Sequence, residues 1–264
     1  MIKIKNNYHT HTFRCGHALG SDEDYVKNAI KFGLKEIGFS DHIILPDVIQ
    51  CGMRGRYELL DDYVSSLNEL KKKYKNQINI KIGFEAEYLP EFIDYYKKLL
   101  VSKKIDYLIL GQHCYSVDHD MKWYLDLPGT LGQEKYTDDL IKGMASGLYK
   151  YVAHPDLFMM IANVYNETTI KCAKRIIAAA IKYNLPLEIN LAQARRYGRF
   201  NIGGYNSYLY PFLPFWQLVA KSKAHVVVGF DSHRPEHVLR PGLEIIEDVI
   251  KQTGVKVDFD YQIK

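Results

Sequence analysis

The 264-residue chain has only four cysteines, Cys15, Cys51, Cys114 and Cys172, and no two stand in a Cys-x-x-Cys spacing. That argues against a zinc ribbon and a disulfide framework. No apolar run approaches the ~18 residues of a membrane span. Lys3 and Lys5 interrupt any early apolar stretch, so no signal peptide is expected. Basic blocks are missing too: the net charge is +4, and Lys71-Lys72-Lys73 reads as the solvated face of a helix. Without a basic stripe interleaved with aromatics, no long nucleic-acid partner is expected. No Gly-rich phosphate turn follows the first apolar segment, which counts against a dinucleotide-binding sheet. Ser40 and Ser232 lack a Gly-x-Ser-x-Gly setting, which counts against a serine nucleophile. These absences leave the expectation of a protein of the reducing cytoplasm, with no membrane partner.

What is present is a full complement of core-forming residues, 47% hydrophobic against 25% charged. They are arranged in a repeating unit: an apolar or alternating strand, a polar motif at its end, then a helical segment. Strands are predicted over residues 2–5, 36–39, 78–84, 107–110, 149–153, 187–190 and 225–230. Helices are predicted over about 22–32, 58–74, 90–101, 133–144, 168–183, 212–222 and 243–252. Ser21 to Asp24 caps the first helix, Gly33 stops it, and Pro90 opens the third. Seven strands alternating with seven helices imply a parallel sheet. A closed or nearly closed (β/α)7 TIM-like barrel, one domain over residues 1–264, fits the pattern.

The strand ends carry the chemistry. His9 and His11 stand at i and i+2 of an extended segment, so both imidazoles project to one side and can grip one ion. Six of the seven strands end in His, Asp or Glu, where β/α barrels place active sites. The sixth ends in Asn190 and an arginine-rich loop. The candidate metal ligands are His9, His11, His17, His42, Glu85, His113, His154, Asp231 and His233. Imidazoles mixed with carboxylates suit zinc, iron or manganese better than calcium or magnesium. Nine donors exceed one tetrahedral ion, so two or three divalent ions are expected. Clustered ions would acidify a bound water and neutralise phosphate oxygens during in-line attack. Arg195, Arg196 and Arg199 are candidate phosphate clamps. Arg54, Arg56, Arg14 and Arg234 are further candidates on other loops of the same face.

His9-x-His11, His17, Ser40-Asp41-His42, Gly83-x-Glu85, His113, His154-Pro155 and Asp231-x-His233, in that order, resemble the motifs of the PHP (polymerase and histidinol phosphatase) superfamily. The resemblance runs from residue 9 to residue 233 and the closing helix. The chain length and the Gly-Phe-Glu-Ala-Glu-Tyr stretch at 83–88 look most like its stand-alone histidinol-phosphate phosphatases. The resemblance implies a distorted (β/α)7 barrel with a trinuclear site. One ion would take His9, His11, Glu85 and Asp231. A second would take Glu85, His113 and His154, with Glu85 bridging. A third would take His17, His42 and His233. Glu87 would face the same side as Glu85, so the choice of Glu85 rests on the family's Gly-x-Glu spacing. The implied activity is hydrolysis of L-histidinol phosphate to L-histidinol and phosphate in histidine biosynthesis. Asp231, His233 and His42 would be catalytic, with Asp231 or His233 passing a proton to the leaving alkoxide. Glu87, Tyr88 and Tyr115 would meet the imidazole and ammonium of the substrate. The alternatives are another small phosphomonoester or nucleotide as substrate, a non-catalytic metal-stabilised module, and an amidohydrolase, which commonly needs a carbamylated lysine.

Overall fold

The computed structural model describes residues 2–117, 121–161 and 164–264. Its element order is β1 (Asn6–Asn7), α1 (Asp22–Phe32), β2 (Glu36–His42), α2 (Leu60–Lys73), β3 (Asn79–Ala86), α3 (Ile93–Val101), β4 (Tyr107–Leu110), β5 (Cys114–Ser116), β6 (Lys122–Trp123), α4 (Leu131–Ala145), α5 (Glu167–Lys182), β7 (Leu187–Asn190), α6 (Ala192–Tyr197), β8 (Phe200–Ile202), β9 (Tyr205–Ser207), α7 (Leu213–Ala220), β10 (Val226–Gly229), α8 (Pro235–Leu239) and α9 (Leu243–Thr253). Local chemistry sets several boundaries. Ser21 Oγ accepts from Asp24 N while the Asp24 carboxylate accepts from Ser21 N, a reciprocal cap on α1, and Gly33 closes that helix in the left-handed region at φ 95°.

The architecture is an α/β fold around a curled parallel sheet of TIM-like kind. β1, β2, β3 and β4 pair in sequence order, all parallel, and β10 pairs with β7. Isolated parallel bridges run from Leu110 to Val152, from Val152 to Leu187, and from Thr10 to Ser232. Side chains alternate across these strands. Leu108 and Leu110 of β4 join the large core between sheet and helices. Tyr107 and Ile109 face inward, packing with Tyr8, Tyr151, Ala153, Val227 and Ile263. The C-terminal tail is part of that inner cluster: Ile263 N donates to Tyr8 Oη and Tyr261 Oη donates to the Lys150 carbonyl. The tail thus covers the end of the sheet opposite the polar motifs.

Two predicted strands differ. The first is found at Asn6–Asn7 rather than 2–5, because the parallel ladder to β2 begins only after the Lys5 carbonyl accepts from Lys35 N. The predicted strand at 149–153 is reduced to bridges at Val152, although backbone bonds reach it from Leu110 and Glu188. The chain turns into His154 at φ 29°, which ends the ladder after one paired residue. The arginine-rich stretch expected as a loop contains α6, followed by the β8–β9 hairpin. No helix among the described residues is long and apolar enough to cross a membrane, and all four cysteines are free.

Candidate functional site

The carboxyl ends of the parallel strands surround a cavity of about 680 Å³. β1 leads into His9 and His11. The segment is pinned in register by His11 N donating to the Ser232 carbonyl (2.9 Å) and Ser40 N to the Thr10 carbonyl (2.8 Å). Asn7 ties it to the last strand, its Oδ1 accepting from Phe230 N at 2.9 Å. β2 ends in His42, in register with Glu85 of β3. His113 follows β4, His154 follows the Val152 bridge, and Asp231 and His233 follow β10.

Glu85 is the hub. One carboxylate oxygen lies 2.6 Å from His154 Nε2 and 3.4 Å from His113 Nε2. The other lies 3.1 Å from His42 Nδ1, 3.5 Å from His11 Nε2 and 3.6 Å from His9 Nε2. A Cβ at Gly111, just past the end of β4, would overlap this carboxylate, so only glycine there admits it. Asp231 Oδ1 is 3.2 Å from His233 Nδ1 and 3.3 Å from His11 Nε2. Both His154 and Asp231 have positive φ, 29° and 46°, a conformation that costs L-residues roughly 1–3 kcal/mol and recurs at functional sites.

His9 Nε2, His11 Nε2, His233 Nε2 and Asp231 Oδ1 are buried without a hydrogen-bond partner among the described residues. Buried polar atoms ordinarily have partners, so these converging lone pairs fit a cation. The donor sets His17–His42–His233, His9–His11–Asp231, His9–Glu85–His154 and His11–His42–Glu85 each lie within 4.8 Å, as does His11–Cys15–His233. The first four are nitrogen and carboxylate oxygen, the set that suits zinc, iron or manganese. Burial alone would raise the acids. The imidazoles His113, His9 and His154 nonetheless hold Glu85 well below the carboxylate range, and His9 and His233 do the same to Asp231. Burial, with His11 adjacent, pushes His42 down to about 3. Burial and His233 push His17 down to about 4. These two rings are neutral, lone-pair donors near pH 7.

The nine candidate ligands are thus together. The substrate candidates are divided. Arg195, Arg196 and Arg234 line the cavity. Arg195 donates to the carbonyls of Pro241 (3.1 Å) and Asp231 (2.9 Å), and its buried Nε has no partner among the described residues. The other candidates do not line it. Arg54 is buried and paired with Glu87 at 3.0 Å, and Glu87 in turn contacts His113 Nδ1 at 3.1 Å. Arg199 pairs with Asp248 and lies over Tyr208. Tyr115 packs against Tyr124 and Lys135. Arg14 is buried between Asp22 and Asp62, and Arg56 is exposed. Sequence reasoning missed Trp123, Gln193, Tyr210 and His237 of the lining. It also missed Asp41, which accepts from Thr12 Oγ1 and lies 3.4 Å from His11 Nδ1. Asp41's place inside Ser40-Asp41-His42 was the available signal. The lining residues carried none: Trp123, Gln193 and His237 lie in the short elements β6, α6 and α8, away from the strand-end motifs, and Tyr210 lies in a loop.

A TIM-like α/β sheet with imidazoles and carboxylates gathered at its carboxyl edge defines the class. The chain belongs to the PHP domain family, which matches residues 7–192. It is 23% identical over 264 residues to a Deinococcus radiodurans protein named "Probable histidinol-phosphatase", covering 96% of each. A Schizosaccharomyces pombe protein of the same name is 26% identical, over 90% of this chain and 82% of that one. Among solved structures, histidinol phosphate phosphatase from Lactococcus lactis, complexed with zinc, L-histidinol and phosphate, superposes with a TM-score of 0.68. The identity there is 19%, covering 96% of this chain and 95% of that one.

Proposed function

We propose that this chain is a histidinol-phosphatase, a phosphoric monoester hydrolase converting L-histidinol phosphate and water to L-histidinol and phosphate. The observation that carries the reading is Glu85, buried among five imidazoles with Asp231 alongside at the floor of an open cavity. The names of the two full-length relatives and the ligands of the Lactococcus lactis structure support the substrate. The centre holds two or three divalent ions. His9, His11 and Asp231 gather on one side of Glu85, His113 and His154 on another, and His17, His42 and His233 form a third donor set. When bound, such ions supply an acidified water and positive charge opposite the phosphoryl oxygens.

The chain's own groups do the rest. Arg195 and Arg196 at the cavity wall hold the phosphate. Asp231 or His233 would take up the proton lost by the attacking water and pass it to the leaving alkoxide. Glu87, backed by Arg54, orients His113 rather than meeting substrate. The cavity has the size of small-ligand pockets, roughly 300–1,000 Å³. The finer fold reading is a complete (β/α)7 barrel in one domain, supported by the bridges that continue the sheet through Val152 and join Thr10 to Ser232. A cytoplasmic location is supported by the free cysteines.

The test is a panel of phosphomonoesters given to purified protein whose metal content is measured on the same sample. Preference for histidinol phosphate is expected, with one oxygen from labelled water in the released phosphate. Label in the histidinol would defeat the mechanism, and a flat panel would defeat the substrate.

A further inference from the structure

β7 differs from its neighbours in the sheet: its carboxyl end brings no candidate ligand to the cavity. Yet its four residues are fully buried and two are polar. Leu187 and Ile189 join the core beneath the helices. Glu188 and Asn190 face the other way, into the cluster. Glu188 Oε1 accepts from His9 Nδ1 at 2.8 Å. Glu188 Oε2 accepts from His154 N and from Asn190 Nδ2, each at 3.0 Å. Asn190 Nδ2 also donates to Asp231 Oδ2 at 3.1 Å, while its Oδ1 accepts from Ala192 N at 2.9 Å. Three candidate ligands from three other segments of the sheet edge are therefore tied to this one.

We propose that Glu188, backed by Asn190, is a positioning residue for the metal centre: it takes the Nδ1 proton of His9 and so turns the Nε2 lone pair toward Glu85 and Asp231. The inference rests on the metal-centre reading above. A ligating imidazole that donates its second N–H to a carboxylate is held in one tautomer and one ring angle and becomes more basic. Asn190 does the corresponding work on Asp231, holding Oδ2 so that Oδ1 points at the rings of His11 and His233. An amide cannot replace the Glu188 carboxylate, because all three of its partners are donors. In one orientation a glutamine would set its NH2 against His154 N–H and the Asn190 amide. In the other it would force the proton of His9 onto Nε2, removing the lone pair. Gly229 lies in register with Asn190, and a Cβ there would overlap the Glu188 carboxylate. Gly229→Ala therefore displaces Glu188 without altering its charge.

Zinc titrated into metal-free wild type, Glu188→Gln and Gly229→Ala, against a chromophoric chelator, tests the role. Each folded variant, judged by far-UV circular dichroism, is expected to bind zinc roughly 10–100-fold more weakly, as for other outer-sphere carboxylates. Nitrogen-15 spectra of zinc-loaded wild type are expected to show the His9 proton on Nδ1. A folded Glu188→Gln protein with wild-type zinc affinity would overturn the proposal, as would a proton on Nε2. If Glu188→Gln does not fold, Gly229→Ala and the wild-type tautomer decide by the same criteria. Wild type that binds no zinc would bring down the metal reading and this proposal together. Zinc binding unchanged in the variants would sink the positioning role alone.

Discussion

Glu85 and Glu87 stand two residues apart, face the same side and are equally buried, yet their surroundings give them different work. Glu85 meets only imidazoles, which can exchange their protons for an ion. Glu87 meets the Arg54 guanidinium, which keeps its proton, so its charge is already matched. The arginines divide by the same logic. Arg195→Ala should lower kcat/KM about 10-fold or more, since a hydrogen bond to a charged group is worth roughly 1.5–3 kcal/mol, while metal content stays at the wild-type level. Arg199→Ala should leave kcat/KM unchanged, because that guanidinium is spent on Asp248. Steady-state kinetics on the two variants separates them. Arg14 is a structural cation: it fills the space between Asp22 and Asp62, and Asp22 is itself buried. Arg14→Ala should cost roughly 3–5 kcal/mol, the usual penalty for stranding a buried charge. A urea midpoint that does not move would contradict this.

At the scale of elements, the sheet places the site because each parallel strand ends at the same edge and the helices return the chain to the other. Some junctions need a polar clasp. Asp156, just past His154, accepts from Phe212 N at 2.6 Å and from Trp216 Nε1 at 3.0 Å, fixing the start of α7 against the turn that follows the Val152 bridge. Burial pushes its carboxyl up to about 7, with the two donors only partly offsetting. Asp156→Ala strands both buried donors, and each should cost roughly 1–3 kcal/mol. Asp156→Asn keeps an acceptor and should cost less. Thermal unfolding of the metal-free variants measures the difference.

For the whole molecule, the cluster concentrates nine metal-type side chains at one end of a sheet whose other end is covered by the C-terminal tail, with Tyr261 and Ile263 packed inward. Bound ions therefore join segments from residue 9 to residue 233, and their removal should be felt globally. Stripping the protein with a strong chelator should abolish phosphatase activity and lower the thermal midpoint. For each ion held at 100 times its Kd the loss is about 2.7 kcal/mol, or roughly 5–10 °C per ion for a chain of this size. Adding back zinc or manganese should restore both. Full activity after complete removal would contradict the proposed function.

The sequence by itself determined the alternation of strand and helix, the strand-end placement of the histidines and carboxylates, and the family they resemble. Those features are local: side-chain period, helix caps and motif order are written in neighbouring residues. The tertiary structure decided what depends on residues far apart in the chain. It separated Glu85 from Glu87 through Arg54, and it withdrew Arg14 and Arg199 from the cavity by pairing them with Asp22 and Asp248. It also turned Glu188, a lone carboxylate in an apolar strand, toward His9, 179 residues away. Charge pairing and burial are properties of neighbours in space, and a linear pattern does not say which neighbours those are.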